Sequence, residues 1–189
     1  MLLATMTGLR IGEILALRWK RINFIGEMLV VAETCYMGRF GTPKTRASRR
    51  EVPLSPAVVE ALKARFFISA DRNAEALVFA TRNGGPLASN NLRNRGLRSA
   101  CKRAGLPRLS WHALRHTHGT LLHVQGTPLK VAQAQLGHSD MATTLEVYTH
   151  ASVIAQREAV NLLESQLFPS VPKKAVERSS TEEVVSPIN

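Results

Sequence analysis

A chain of 189 residues with 44% hydrophobic side chains suits one domain, or one domain and a tail, and is too apolar for a disordered linker. Its 25 Lys and Arg against 14 Asp and Glu give a formal net charge of +11, which says nothing of fold but favours a polyanionic partner. Two cysteines, Cys35 and Cys101, form no CxxC pair, and no apolar run approaches the ~20 residues of a membrane span, so a disulfide scaffold and a membrane protein are excluded and the cytoplasm is expected.

Residues 1–7 read as the last turns of a helix stopped by Gly8. The stretch is short and has no basic leader, so it is not a signal peptide. A chain opening inside an apolar helix reads as a fragment of a longer protein. The spacing of Ile11, Ile14 and Leu15 predicts a second helix over 11–19, with Arg10 at its start, where the helix dipole favours an acid instead. Met28–Glu33 has the β-branched content of a strand. Gly38, Gly41 and Pro43 mark turns, and Pro43–Leu54 reads as a hairpin whose tip carries Lys44, Arg46, Arg49 and Arg50. Solvated charge is the ordinary meaning of such a loop. Beside a site that holds a polyanion it becomes a contact and a proton donor.

Ser55-Pro56 predicts a helix start, with the helix running to about Phe67. Leu77–Ala80 is a short buried extended segment, followed by a turn at 83–86. Ser89 is expected to cap a helix to about Ala104, carrying Arg93, Arg95, Arg98, Lys102 and Arg103 outward and Leu92, Leu97 and Cys101 inward. Ser110 caps a helix to about Val124; Thr127-Pro128 begins the next, and Gly137 ends it. His138 therefore falls in a turn. Ser139 or Asp140 caps a further helix bearing Tyr148, residues 151–167 form a last amphipathic helix, and a flexible tail follows from Pro169.

His112 and Arg115 lie three apart on one helix and so project from one face. A guanidinium offers forked donors matched to phosphate oxygens and stays charged at working pH. Arg10 could clamp the same phosphate from another side. Charge builds on the non-bridging oxygens during attack at phosphorus, and preorganised cations stabilise it there. Of the two tyrosines, Tyr36 has no histidine near it in sequence, whereas Tyr148 follows His138 by ten residues. A phenol of pKa ~10 is a weak nucleophile until nearby cations favour its phenolate. Lys44 is the best-placed acid for the departing sugar oxygen. Taken alone, Tyr148 on the stripe Met141–Leu145–Tyr148 reads as core, and His138 as a turn residue. His112 and His116 have a metal-ligand spacing, but position 113 is alanine where H-E-x-x-H needs glutamate. The functional reading rests on the conjunction.

Thr7–Trp19, His112-Ala113-Leu114-Arg115-His116-Thr117, Leu136-Gly137-His138 and Tyr148-Thr149-His150 together resemble the catalytic domain of the tyrosine recombinases, the phage integrase family, over about residues 1–165. The resemblance implies a mainly α fold with a small antiparallel β-sheet. It implies that Arg10 and Arg115 bind the scissile phosphate, Lys44 protonates the leaving 5′ oxygen, and His112 and His138 assist proton transfer. Tyr148 then forms a 3′-phosphotyrosyl link, and Glu13 supports the site. No metal and no ATP is needed, because the covalent intermediate conserves the bond. Arg46, Arg49, Arg50, Arg93, Arg95 and Arg98 are the expected DNA contacts. The partner implied is double-stranded DNA, with self-association in a tetrameric synaptic complex, in a bacterial or phage setting on the nucleoid. Residues 1–168 would be the catalytic domain, without its first helices and the upstream DNA-binding domains, and 169–189 a tail. His118-Gly119 departs mildly from the usual residues and bears on packing. Two other readings stay open at this point, a non-catalytic DNA-binding remnant and a type IB topoisomerase-like enzyme; a metal-dependent nuclease stands further off.

Overall fold

The structure, a computed structural model, describes residues 1–43, 45–140, 142, 144, 145, 157, 160–163 and 167. Lys44, Tyr148, the side chain of Arg46 and the tail from 169 lie outside the described residues. Two compact units divide the chain, residues 1–150 and 151–189. In the second, the described residues 157, 160–163 and 167 are helical, in keeping with the amphipathic pattern there.

Helix α1, Leu2–Thr7, ends as expected at Gly8, whose φ of 63° is left-handed and whose amide donates to Ala4 O. Gly8 is also a point of contact. A Cβ there would lie 2.6 Å from His118 Cδ2 and 2.8 Å from Leu136 Cδ2, so only glycine lets α1 approach the later helices. Helix α2 is shorter than expected, Ile11–Leu15 rather than 11–19. Its would-be last turn is taken by non-local pairing. Leu17 O accepts from Val78 N, Trp19 N donates to Ala76 O, and Arg18 bridges Leu77. Extending the chain there buries Leu17, Trp19, Leu77 and Val78 together, which one more helical turn would not achieve.

Strands β1 (Ile22–Asn23), β2 (Met28–Val31) and β5 (Arg50–Pro53) form an antiparallel sheet in the order β1-β2-β5. Strands β3 (Thr34–Tyr36) and β4 (Arg39–Gly41) form a separate hairpin around Met37-Gly38. This corrects the expected hairpin over 43–54: the hairpin lies earlier, and β5 returns to β2. The register pairs Leu29 with Val52 and Val31 with Arg50. Leu29 and Val52 are fully buried and Val31 nearly so, so the two-residue alternation turns Arg50 to the inward face as well.

Helix α3, Pro56–Ile68, starts at Ser55, which has cap backbone geometry although its buried hydroxyl makes no cap bond. The basic helical stretch runs through α4 (Ser89–Asn91), a wider π-turn (Leu92–Leu97) and α5 (Arg98–Arg103), with Ala88 rather than Ser89 at the cap. Helix α6, Trp111–Val124, is capped by the Ser110 hydroxyl, which accepts from Ala113 N at 3.0 Å. Helix α7, Leu129–Leu136, ends at Gly137 with φ 64°. The core of the first unit joins Leu3, Leu9, Trp19, Leu29, Val52, Val58, Val78, Leu97 and Leu114, and Trp19 meets Phe66 edge-on at 5.0 Å. Among the described residues no helix is long and apolar enough to cross a membrane.

Candidate active site

The site gathers at the C-terminal end of α7, where a helix leaves carbonyls without intrahelical partners. Three arginines far apart in sequence take three consecutive carbonyls. Arg50 Nε donates to Gln135 O at 2.8 Å, Arg115 Nη2 to Leu136 O at 2.5 Å, and Arg10 Nη2 to Gly137 O at a long 3.5 Å. His138 follows at once. Arg115 also donates from Nη1 to Gly8 O at 2.6 Å, so it ties the end of α1 to the end of α7. Two of a guanidinium's five N–H donors are used in this way.

Glu13 is the carboxylate in this group of cations. It accepts from Arg10 N at 2.9 Å and Arg10 Nη1 at 3.0 Å, and from Arg50 Nη2 at 3.1 Å and Nη1 at 3.3 Å. Burial alone would raise its pKa. The forked bonds from Arg50, helped by Arg10, win, and hold the carboxyl below its usual range. Burial first, then the Arg10 and Arg50 charges, lowers Arg115 to about 9, which still leaves it charged at neutral pH. His138 is lowered to about 4 by burial, then by Arg115, Arg10, Arg50 and His112. It is therefore neutral at pH 7. An anion entering here would reverse those repulsions and draw a proton onto His138.

The members differ sharply in exposure. The Arg10 side chain is 44% exposed, against 6% for Arg50 and 3% for Glu13. Arg115 is buried at 4%. His112 is exposed and stands edge-to-face with His116 at 4.6 Å. Its pKa is lowered by burial, then by His116, Arg115 and Arg10. His112 and Arg115 are neighbours on α6 as their spacing predicts, but α1 and α7 cover only the arginine. Arg10, Glu13, His112, Arg115 and His138 thus come together.

Other predicted site residues fall elsewhere. Arg49 is exposed, as are Arg93, Arg95 and Arg98 on the basic helical stretch. Arg50 was expected on the surface among the DNA contacts. Strand alternation turns it inward instead, where its donors go to Glu13, Gln135 O and Ser48 O. The sequence reading missed Thr144, which is fully buried and meets His138 Nδ1 at 3.0 Å through its hydroxyl. His118, expected to bear on packing, is buried, and its Nδ1–H donates to Thr5 O at 2.9 Å, a bond the sequence did not announce. Neither bond could be read locally, since Thr5 lies 113 residues from His118 and Thr144 six residues from His138, outside helical spacing. Asp140 accepts from Ala142 N at 3.0 Å and opens the next helical turn, as expected. Among the described residues no group of three or more His, Cys, Asp or Glu is placed to hold a metal ion.

A model of the phage integrase family matches residues 1–153. The chain is 31% identical to a XerC-like tyrosine recombinase of Caldanaerobacter subterraneus subsp. tengcongensis, covering 86% of this chain and 47% of that protein. It is 28% identical to the integrase of Staphylococcus phage L54a, over 86% of this chain and 50% of the other. Among solved structures it is similar to the Tn1549 transposon integrase in complex with circular intermediate DNA, with a TM-score of 0.72 and 27% identity, covering 85% of this chain and 57% of that one. The chain spans about half the length of the curated relatives it matches.

Proposed function

Since this chain belongs to the phage integrase family, we propose that it is the catalytic part of a site-specific DNA recombinase that cuts and rejoins strands for integration or excision of a mobile element. The observation that carries the reading is the trio of guanidiniums on carbonyls 135, 136 and 137, facing a single carboxylate beside a neutral histidine. Crowded like charges of this kind are relieved by an anion, and a phosphodiester is the anion whose transition state gains most from forked donors.

In the reaction, Arg10 and Arg115 hold the non-bridging oxygens. The Tyr148 oxygen bonds to phosphorus as the bond to the 5′ oxygen breaks, and Lys44 supplies the proton that oxygen takes up. His138, neutral before DNA arrives, and His112 bond the phosphate and pass protons. Rejoining runs the step backward with a 5′ hydroxyl from another strand, so the phosphotyrosyl link conserves the bond energy. Residues 1–168 form the catalytic domain in this reading and 169–189 its tail. The partner is double-stranded DNA, on which protomers assemble into a tetrameric synapse in the bacterial cytoplasm.

A suicide DNA substrate tests this. Incubation is expected to give a covalent protein–DNA adduct that disappears in Tyr148→Phe and persists in EDTA. Salt-sensitive binding with no adduct would defeat the catalytic reading, and plasmid relaxation without strand exchange would move it to a topoisomerase. Native sedimentation of protein on paired sites tests the tetramer.

A further inference from the structure

Resting on the recombinase reading above, we propose that Arg50 is a positioning residue for strand cleavage: it sets the Arg10 guanidinium by bonding the Glu13 carboxylate and packing against Gly137, the two groups that Arg10 touches, and it makes no DNA contact itself.

Arg10 has two side-chain anchors, Glu13 Oε1 at 3.0 Å and Gly137 O at 3.5 Å. Arg50 bonds the first and packs against the second. It meets the Glu13 carboxylate through Nη1 and Nη2, at 3.3 and 3.1 Å. Its Nε holds Gln135 O at 2.8 Å, two residues before Gly137. The guanidinium also lies flush against Gly137 itself, since a Cβ at that glycine would fall 2.6 Å from Nη1 and 2.9 Å from Cζ. The remaining bond runs from Nη1 to Ser48 O at 3.1 Å, which fastens the short helical turn Arg46–Ser48 of the basic loop to the same centre.

Exposure separates the two arginines. Arg50 has 6% of its side chain exposed and makes four bonds to protein acceptors with its five N–H donors, whereas the equally buried Arg115 makes two and keeps three for a phosphate. Arg10 keeps 44% of its side chain exposed. Glu13 cannot do the work of Arg50, because a buried carboxylate left with Arg10 alone loses its forked partner and is drawn toward its neutral form. A neutral Glu13 releases its charge-assisted hold on Arg10.

The test measures single-turnover cleavage at saturating DNA from pH 5.5 to 8, with the salt dependence of binding alongside, for wild type, Arg50→Gln, Arg50→Lys and the double variant Glu13→Gln/Arg50→Gln. Arg50→Gln is expected to slow cleavage about 10- to 100-fold, the scale of a displaced catalytic group. Its rate falls further at acid pH, because Glu13 titrates from a raised pKa. The salt slope stays at the wild-type value. Arg50→Lys keeps a charge but not the fork, so it keeps the wild-type pH profile at a reduced rate. The double variant leaves no lone buried carboxylate, so it folds even if Arg50→Gln does not, and it loses the acid limb while staying slow. Wild-type cleavage by Arg50→Gln, or a salt slope lowered by about one contact's worth, would overturn the proposal. A wild-type chain that forms no adduct on DNA defeats the recombinase reading itself, and this proposal with it.

Discussion

Arg50 and Arg115 lie at the end of α7 with their donors on carbonyls and a carboxylate, whereas Arg93, Arg95 and Arg98 stand exposed along residues 89–103 and form no ion pair among the described residues. The two groups share one side chain and differ in what surrounds it. In the first, burial removes water, so each guanidinium needs protein acceptors, and its geometry becomes fixed. In the second, water satisfies the charge, its geometry stays loose, and only its long-range field matters. A net charge of +11 adds these two populations together, although only the exposed one can act as a general attraction for a polyanion.

The contrast breaks most readily at Arg115. Replacing it with alanine strands Gly8 O and Leu136 O in the interior and is expected to cost roughly 3–5 kcal/mol, read from urea unfolding. Arg115→Lys should recover only part, because an ammonium lacks the fork. A loss below about 1 kcal/mol would mean that the buried group is no different from the exposed one. Next comes Gly137→Ala, which forces a left-handed residue to carry a Cβ 2.6 Å from a pinned guanidinium. The expected cost is about 2 kcal/mol, with cleavage lost alongside; full activity would show that Arg50 can move aside.

The third prediction concerns pH. His138 sits at about 4 in the folded chain, below the ordinary histidine value of 6.5. The unfolded chain therefore binds more protons between those values, and stability falls as pH drops through that window. Melting temperature should be highest near neutrality and decline from about pH 6.5 toward 4, with His138→Gln showing a shallower decline. The lowered His112 and His118 act in the same direction, so an identical slope in the variant would place the effect on them. The smallest effect belongs to the exposed row. Arg93→Gln should leave stability within about 0.5 kcal/mol of wild type and lower the slope of log affinity against log salt by about 0.9. A destabilised Arg93→Gln would erase the distinction between the two groups.

Much of the frame was legible. Gly8, Ser110 and Gly137 mark helix ends by local chemistry, and each does so in the fold. The coming together of Arg10, His112, Arg115 and His138 followed from motif order rather than from any local rule. What was hidden is non-local. Nothing near Arg18 announces its pairing with Leu77, and nothing near Lys44 says that β5 returns to β2. Arg50 is the instructive miss, because its signal was present. Val52 and Leu54 are apolar at alternate positions, so period two puts residue 50 on the same inward face. A run of basic neighbours outweighed that alternation in the reading. Thr144, by contrast, gave no sequence signal of its bond to His138.

Gln135, Leu136 and Gly137 serve the arginines through their main-chain oxygens, at the end of a helix whose dipole would by itself repel an anion. Side-chain truncation at Gln135 would leave that grip intact and mislead anyone mapping the site by mutagenesis. Amide-to-ester exchange, which weakens one main-chain acceptor at a time, is the chemistry that would expose it. The identity of residue 135 is thus free to drift without disturbing its carbonyl.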